Sequence, residues 1–351
     1  MSIKYKYRIK SPVDEEHIVD CRMPTRHTIS DASPKRGKNE GDYSGPVPMR
    51  GQKRARYTPR RPKPMSKKQV RNWIIAFAIT LVVAYLLLCT AFYFFQGVAL
   101  YRPNTTVGVT PAKDGLAYED LTLTTSNGNK ITGWYVPCEN STRFVIYCHG
   151  NGGNIAYNLR EIGIFHEVGL NVAVFDYEGY GNSKGDPSEA ATYRDVDAVW
   201  HYLMDNKNAT PGRTLMFGHS MGGPISAWCA KQHHPAALVL DSTFVSFDEE
   251  AQDLVPVVPA SLLSTFKYTT LQYAHAASVP TMVLHSKADR TIAYDHGQRI
   301  YAGLGEPKRF VEISGGHNDG FTVCRDLYIQ VLTEFLDQYL PAEAREGDGG
   351  P

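Results

Sequence analysis

A short motif near the middle of the chain constrains the fold more than any other feature of the sequence. The pentapeptide around Ser220 reads Gly-His-Ser-Met-Gly and matches the pattern Gly-x-Ser-x-Gly. Residues 214–217, before it, are apolar and predict a buried strand, whereas residues 223–231, after it, predict a helix. A serine on such a strand-to-helix turn has a strained backbone and an exposed hydroxyl, and small residues at Gly218 and Gly222 avoid clashes. The motif alone occurs often by chance, but in this context it predicts that Ser220 is a nucleophile.

A nucleophilic serine needs a base, and the base needs an acid that orients it. Residues 279–285 are apolar and β-branched and predict a strand, and Asp289 lies in the loop that follows. Residues 309–313 predict the next strand, and the polar loop after it carries His317. Because open α/β sheets build their sites at the carboxyl ends of strands, we predict Asp289 as the acid and His317 as the base.

Other residues could take these roles. Asp241 also ends a predicted strand, residues 237–241, and is the alternative acid, although we favour Asp289. His285 falls inside a predicted strand, which indicates a structural role. Several further histidines lie on predicted helices or connectors, which indicates solvated or packed side chains: His166, His201, His233, His234, His275 and His296.

A glycine-rich loop supplies the third component. Residues 144–148 predict another buried strand, and the six residues after it read His-Gly-Asn-Gly-Gly-Asn. Glycines let the backbone turn sharply and present N–H groups, so we predict an oxyanion hole from the backbone N–H groups of Met221 and Asn151. His149 is predicted to be a structural part of the turn. Such a loop could also cradle a phosphate, but it lacks both the Gly-Lys-Ser/Thr ending and the full Gly-x-Gly-x-x-Gly pattern.

Strand and helix patterns alternate through residues 118–340. Residues 121–125 and 130–136 flank the turn Ser-Asn-Gly-Asn and predict an antiparallel hairpin at the sheet edge. The alternation after it predicts an α/β fold, with a mostly parallel twisted sheet and helices on both faces. Residues 244–278 interrupt it with prolines and apolar residues and predict a small helical cap. The predicted elements after the hairpin, besides those given above, are strands at 172–176 and 214–218 and helices at 154–168, 188–205, 222–233, 294–304 and 320–340.

The motifs together resemble a known family. Their order resembles the α/β-hydrolase superfamily, and the Gly-Gly-His-Asn-Asp ending resembles its Bem-type group of single-pass membrane serine hydrolases with a small cap. The resemblance implies that Ser220 is the nucleophile, Asp289 the acid and His317 the base, with the two N–H donors named above. Five motifs carry it, and they begin at His149, Phe175, Gly218, Leu284 and Gly315.

One residue departs from the family pattern. Glu178 stands in the motif Asp-Tyr-Glu-Gly-Tyr-Gly, where the group usually carries arginine. The replacement reverses a charge near the site and puts in doubt any ligand contact that the arginine makes. It leaves the three predicted catalytic residues unchanged.

An uncharged apolar segment divides the chain. Residues 73–95 contain 23 residues without a charge, and as a helix they would extend about 34 Å, enough to cross a hydrocarbon core of about 30 Å. We predict a transmembrane helix there, followed by a linker over residues 96–117. The C-terminal residues 341–351 are acidic and glycine-rich and predict a disordered tail.

Basic and acidic residues are unevenly distributed along the chain. Residues 1–72 hold 19 Lys+Arg and 7 Asp+Glu and predict a disordered basic tail, whereas the rest of the chain holds 18 and 29. A basic tail could bind nucleic acid, but this one lacks regularly interleaved aromatic residues and adjoins the apolar segment. Attraction to anionic lipid is the simpler interpretation, and no nucleic-acid partner is expected.

The sequence predicts a membrane-anchored serine hydrolase that forms an acyl-enzyme and needs no metal or organic cofactor. Its expected substrates are acyl esters or thioesters at the membrane, such as lysophospholipids or palmitoylated proteins. A serine peptidase of the same fold is the alternative enzyme, and a pseudo-hydrolase that binds partners is the alternative outside enzymes. No Cys/His spacing indicates a metal site, and pairing of Cys138 with Cys324 stays open.

The topology follows from the charges beside the apolar segment. Residues 50–71 hold ten Lys+Arg and no acid, so the positive-inside rule places the tail in the cytosol and the hydrolase in the lumen or outside the cell. Glycosylation sequons agree, because they occur only beyond the segment, at Asn104, Asn140 and Asn208.

This topology predicts two results. Peptide-N-glycosidase, added to the solubilised and denatured protein, should increase its gel mobility, because at least one sequon faces the lumen and is glycosylated there. Protease added to sealed microsomes should remove only the tail, since the bilayer protects the hydrolase. Digestion of the hydrolase in intact vesicles would reverse the topology and favour cytosolic acyl-proteins as substrates.

Overall fold

The computed structural model describes residues 63–341. Most of the predicted basic tail (residues 1–72) and nearly all of the predicted acidic tail (residues 341–351) lie outside the described residues. Residues 63–86 and 87–341 pack as separate units, so each is described by itself.

The second unit contains an eight-stranded sheet in the order β10-β9-β8-β7-β4-β6-β3-β2 and a two-stranded sheet of β1 and β5. Six strands from β4 to β10 are parallel, whereas β3 runs antiparallel to β6 and to β2. The predicted mostly parallel sheet and hairpin are therefore confirmed. The strands are β1 (Arg102–Pro103), β2 (Glu119–Thr124), β3 (Lys130–Val136), β4 (Phe144–Cys148), β5 (Gly152–Gly153), β6 (Asn171–Phe175), β7 (Thr214–His219), β8 (Ala237–Asp241), β9 (Thr281–Ser286) and β10 (Lys308–Ile313).

Ten α-helices accompany the strands in the described residues. Helices α3, α4 and α8 pack on one face of the large sheet and α2 and α10 on the other, which confirms the predicted layers. The helices are α1 (Lys67–Leu100), α2 (Leu159–Glu167), α3 (Glu189–Asn206), α4 (Gly222–His233), α5 (Phe247–Leu254), α6 (Ala260–Leu263), α7 (Thr270–Ala277), α8 (Tyr294–Gly303), α9 (Gly320–Val323) and α10 (Arg325–Tyr339).

The central strands are buried on both faces because helices cover both. In β4, all five residues are buried, and successive side chains alternate between the two cores. Phe144, Ile146 and Cys148 join one core, and Val145 and Tyr147 join the other. This two-sided burial explains the continuous apolar runs of the parallel strands, which lack a polar alternation.

Two predicted helical regions differ in detail. The region at 244–278 is helical as predicted, but only α5 and α6 form an added cap, because α7 packs along α4 as part of a layer. The predicted helix at 320–340 is broken at Cys324, which separates α9 from α10. Cys324 forms no disulfide with Cys138, whose thiol instead lies 3.7 Å from the carbonyl oxygen of His166.

The apolar helix is longer than predicted. Helix α1 contains 34 residues, is long and apolar enough to cross a membrane, and includes all of residues 73–95. Its last turn packs into the second unit, because Leu100, and Tyr101 directly after the helix, are buried in the core. Within the predicted linker, residues 96–117, four residues are buried, Gln96, Leu100, Tyr101 and Pro111, whereas most of the others are exposed.

Glu178 is buried and holds the turn between β2 and β3. Its carboxylate accepts hydrogen bonds from Nδ2 of Asn127 at 3.0 Å and of Asn129 at 2.7 Å. Nη2 of Arg194 on α3 lies 3.6 Å from the same carboxylate. Two amide groups and one guanidinium group thus surround the Glu178 carboxylate. These donors require an acceptor, which explains why position 178 holds an acid where the family usually carries arginine.

We expect Glu178→Arg to lower the free energy of unfolding by about 3 kcal/mol or more, because a second guanidinium would face Arg194 and two amide donors would lose their acceptor. Glu178→Gln keeps one acceptor oxygen and should cost less. Denaturation of the detergent-solubilised full chain measures both variants. An arginine variant as stable as the glutamine variant would contradict this role.

Candidate active site

Ser220 lies at the end of β7, on the turn into α4. Its φ is 53°, a left-handed conformation that a non-glycine residue adopts at a cost of about 1–3 kcal/mol. The neighbouring glycines are required by space: a Cβ on Gly218 would lie 2.2 Å from the carbonyl oxygen of Gly222, and a Cβ on Gly222 would lie 1.9 Å from that of Cys148. The structure therefore has the predicted strained strand–turn–helix unit.

The structure brings Ser220, His317 and Asp289 together. The Ser220 hydroxyl lies 2.9 Å from Nε2 of His317, and Nδ1 of His317 lies 2.7 Å from Oδ2 of Asp289. If Nδ1–H donates to the carboxylate, Nε2 is left to accept the hydroxyl proton. The arrangement can therefore raise the nucleophilicity of the serine oxygen.

Asp289 is held in place by its own loop. Its Oδ1 accepts hydrogen bonds from the backbone N–H groups of Thr291 at 2.8 Å and Ile292 at 3.0 Å, while Oδ2 faces His317. Burial favours the protonated acid, but the His317 contact and the two N–H donors outweigh it and lower the pKa of Asp289. The carboxylate therefore stays charged where it can orient His317.

Asp241, the alternative acid, contacts a different histidine. Its Oδ2 lies 3.1 Å from Nδ1 of His219, and its Oδ1 accepts the hydroxyl of Ser242 at 3.0 Å. Burial disfavours protonation of His219, but the hydrogen bond and charge of Asp241 prevail and raise the pKa of His219. The backbone carbonyl of Asp241 accepts a hydrogen bond from the N–H of Ser220 at 3.0 Å. Asp241 therefore stabilises the backbone of the turn at Ser220.

The glycine-rich loop after β4 lies against Ser220. A Cβ on Gly150 would come within 3.5 Å of Cβ of Ser220. Met221 caps the N-terminus of α4, where the helix dipole favours negative charge. Within residues 63–341, the N–H groups of Met221 and Asn151 donate no backbone hydrogen bond. These two N–H groups are the candidates for stabilising an oxyanion beside Ser220.

Hydrogen bonds with the end of α1, with the residues just after it and with Tyr180 hold Asn151 in place. Its Nδ2 donates to the carbonyl oxygen of Leu100 at 2.7 Å, and its own carbonyl accepts from the N–H of Arg102 at 3.1 Å and the hydroxyl of Tyr180 at 2.8 Å. Strand β1 then pairs with β5 in the same loop. The last turn of α1 thus helps to build the glycine-rich loop, a connection that the sequence did not predict.

Two further histidines have structural positions, as the sequence indicated. His149 is buried and donates from Nδ1 to the carbonyl oxygen of Gly150 at 2.7 Å; burial lowers the pKa of His149 to about 4. His285 is buried, its Nε2 donates to the carbonyl oxygen of Ile292 at 3.1 Å, and burial lowers its pKa. Both rings therefore stay neutral, and His285 packs beneath the Asp289 loop without adding a charge.

One group of described residues outside the site could hold a metal ion. Asp197 and His201 on α3 and His233 at the end of α4 place one ligand atom each within 4.8 Å of one another. The spacing of His, Cys and acidic residues along the sequence did not indicate this group, because His233 lies on a different helix from Asp197 and His201. Nε2 of His233 already donates to Oδ1 of Asp197 at 2.7 Å, so these two side chains form a hydrogen-bonded pair.

The three sequons differ in exposure. Asn140 and Asn208 are exposed at turns. Asn104 is half-buried, and its Nδ2 donates to the hydroxyl of Tyr157 at 2.8 Å. Asn140 and Asn208 are therefore the more accessible acceptors.

Comparisons with known proteins agree with the architecture. A family model described as the alpha/beta hydrolase fold matches residues 143–270. An uncharacterized protein of Mycobacterium tuberculosis strain H37Rv is 30% identical over 244 residues, which cover 68% of this chain and 86% of that protein. An uncharacterized membrane protein of Saccharomyces cerevisiae is 29% identical over 235 residues, which cover 65% of this chain and 82% of that protein.

A solved structure shows the same fold. The structure of a Pyrococcus furiosus esterase is similar with a TM-score of 0.58 at 20% sequence identity, and the match covers 68% of this chain and 98% of that one. At this identity the likeness concerns the fold.

The two Asp–His pairs can be separated by experiment. We expect Asp289→Asn to slow fluorophosphonate labelling of Ser220 by about 10⁴-fold, because an amide no longer stabilises the orientation and charge of His317. Asp241→Asn should slow it far less, since its partner His219 does not contact the hydroxyl. Thermal melting checks that both variants fold. The reverse order of effects would move the role of acid to Asp241.

Proposed function

The chain belongs to the α/β-hydrolase superfamily, and on that premise we propose that it is a membrane-anchored serine hydrolase that cleaves carboxylic esters or thioesters. The observation that supports this most directly is the hydrogen-bonded series Ser220, His317 and Asp289. The fold, the available N–H groups beside the serine and the apolar helix α1 support it further.

The proposed reaction has two halves. His317 accepts the proton of Ser220 at Nε2 while the serine oxygen attacks the acyl carbon, and the N–H groups of Met221 and Asn151 stabilise the resulting oxyanion. The intermediate collapses to an acyl-enzyme, and His317 returns the proton to the leaving alcohol or thiol. Water, activated by the same histidine, then releases the acid and restores Ser220.

The proposed substrates are acylated molecules at a membrane, of the lysophospholipid or palmitoyl-protein type. Helix α1 supports this choice, because it would hold the site beside lipid. The proposed orientation places the hydrolase in the lumen or outside the cell, and the exposed sequons at Asn140 and Asn208 support it. A peptidase and a non-catalytic binding protein are the competing functions.

One assay on the full chain in detergent separates these functions. We expect a higher kcat/KM for acyl esters or thioesters than for peptide amides of similar size. Ser220→Ala should lower turnover by about 10⁴-fold or more and abolish fluorophosphonate labelling, since only the hydroxyl is lost. Faster cleavage of amides would favour the peptidase, and wild-type turnover without the hydroxyl would refute the mechanism.

A further inference from the structure

Large apolar side chains are rarely exposed in the described chain after α1. Over residues 101–341, the exposed ones are Tyr157, Leu254, Val257 and Leu262, and Leu262 is 82% exposed. Three of the four belong to residues 254–266, a run of 13 residues without a charged side chain. Exposed apolar side chains that cluster in this way mark a contact surface.

Charged residues lie at both ends of this run. Before it, Glu249 contacts Arg299, and the exposed Asp253 accepts a hydrogen bond from Nε2 of His296 at 3.1 Å. The first charge after it is the exposed Lys267. The surface is therefore an apolar patch with one charged residue at each end, and its apolar side chains suit the headgroup layer of a phospholipid surface.

Residues 254–266 are hydrogen-bonded to the C-terminal end of α1. Nε2 of Gln96 donates to the carbonyl oxygen of Leu263 at 3.2 Å, and the N–H of Thr265 donates to Oε1 of Gln96 at 2.9 Å. Leu262 precedes Leu263 directly. The exposed cap leucine therefore lies beside the end of the apolar helix.

Tyr157 lies near the same end of α1. Its hydroxyl accepts from Asn104, which follows the helix by only four residues. An aromatic ring with a polar tip is typical of the membrane–water interface. Leu262 and Tyr157, from two separate segments, are thus each one hydrogen-bonded residue away from the end of α1 or the residues just after it.

The distance to the bilayer is short. Phe94, Phe95 and Val98 of α1 are at least 65% exposed, and Phe95 ends the predicted transmembrane segment, five residues before Leu100. Five helical residues rise about 8 Å, which is comparable to a headgroup layer of about 5–8 Å. The carbonyl of Leu100 contacts Asn151, so the glycine-rich loop lies at the outer edge of that layer.

We propose that Tyr157, Leu254, Val257 and Leu262 form a membrane-docking surface, which inserts into the headgroup layer of the bilayer that α1 enters. The occupant is the lipid surface itself. Docking would hold the cap against the membrane, so that acyl chains reach Ser220 from the bilayer rather than from water. This consequence for substrates rests on the proposed function, whereas the docking surface does not.

Photo-crosslinking of the full chain in phosphatidylcholine–phosphatidylserine vesicles tests the surface without catalysis. A benzophenone amino acid replaces Leu262 or Val257, and Asn206 is the control position. Asn206 is exposed and ends α3, about 26 Å along the helix from Glu189, whose carboxylate binds the N–H groups of Lys267 and Tyr268. We expect lipid adducts at positions 257 and 262, at least tenfold above those at position 206.

Equal lipid labelling at the three positions would overturn the proposal. Adducts between two copies of the chain at position 262, in place of lipid adducts, would also overturn it and would indicate a dimer interface. Neither result depends on turnover, so each is distinguishable from failure of the proposed esterase activity.

A matched pair of charge variants tests the consequence for substrates. Leu262→Asp places a negative charge in the docking surface, and Asn206→Asp adds the same charge at the control position. We expect Leu262→Asp to lower the ratio of turnover on a vesicle-borne long-chain ester to turnover on a soluble short-chain ester by about tenfold. The ratio should not change in Asn206→Asp. Equal ratios in both variants would contradict delivery of substrate from the bilayer.

Discussion

The close packing of the turn at Ser220 against the end of β4 is the constraint on which the rest of the site depends. Because the backbone of Gly222 lies against the carbonyl of Cys148, Ser220 and the glycine-rich loop cannot be positioned independently. The left-handed backbone at Ser220 stores about 1–3 kcal/mol, and burial of every residue of β7 offsets it. One packing contact therefore places both the hydroxyl and the N–H groups beside it.

Two Asp–His pairs lie next to each other at this end of the sheet, with the rings of His219 and His317 5.3 Å apart. Their different surroundings separate their roles. Asp289 is aligned by two N–H donors of its loop and faces the histidine that contacts the serine hydroxyl. Asp241 instead supports the backbone beneath Ser220. The neighbouring loops, rather than the residue types, distinguish the two acids.

The C-terminal end of the apolar helix α1 makes direct contacts with the residues around this site. Tyr101, just beyond α1, shares a hydrogen bond of 2.8 Å with the hydroxyl of Tyr268, which in turn lies 3.0 Å from the hydroxyl of Thr192 on α3. These hydroxyl contacts connect the end of α1 to α3. The hydrogen bonds of Gln96 connect it to the cap, and that of Asn151 connects it to the glycine-rich loop. The orientation of α1 at its last turn is therefore coupled to the geometry of the site.

The sequence by itself determined the sheet, its hairpin, the apolar helix and the candidates Ser220, Asp289 and His317, because strand periodicity and loop motifs are local properties of the chain. Only the tertiary structure shows that Asp289 contacts His317 whereas Asp241 contacts His219, since both acids follow strands and only distance separates them. It also buried Leu100 and Tyr101 in the core and gave Glu178 its partners in a distant turn. These depend on contacts between segments far apart in the chain, which no local pattern encodes.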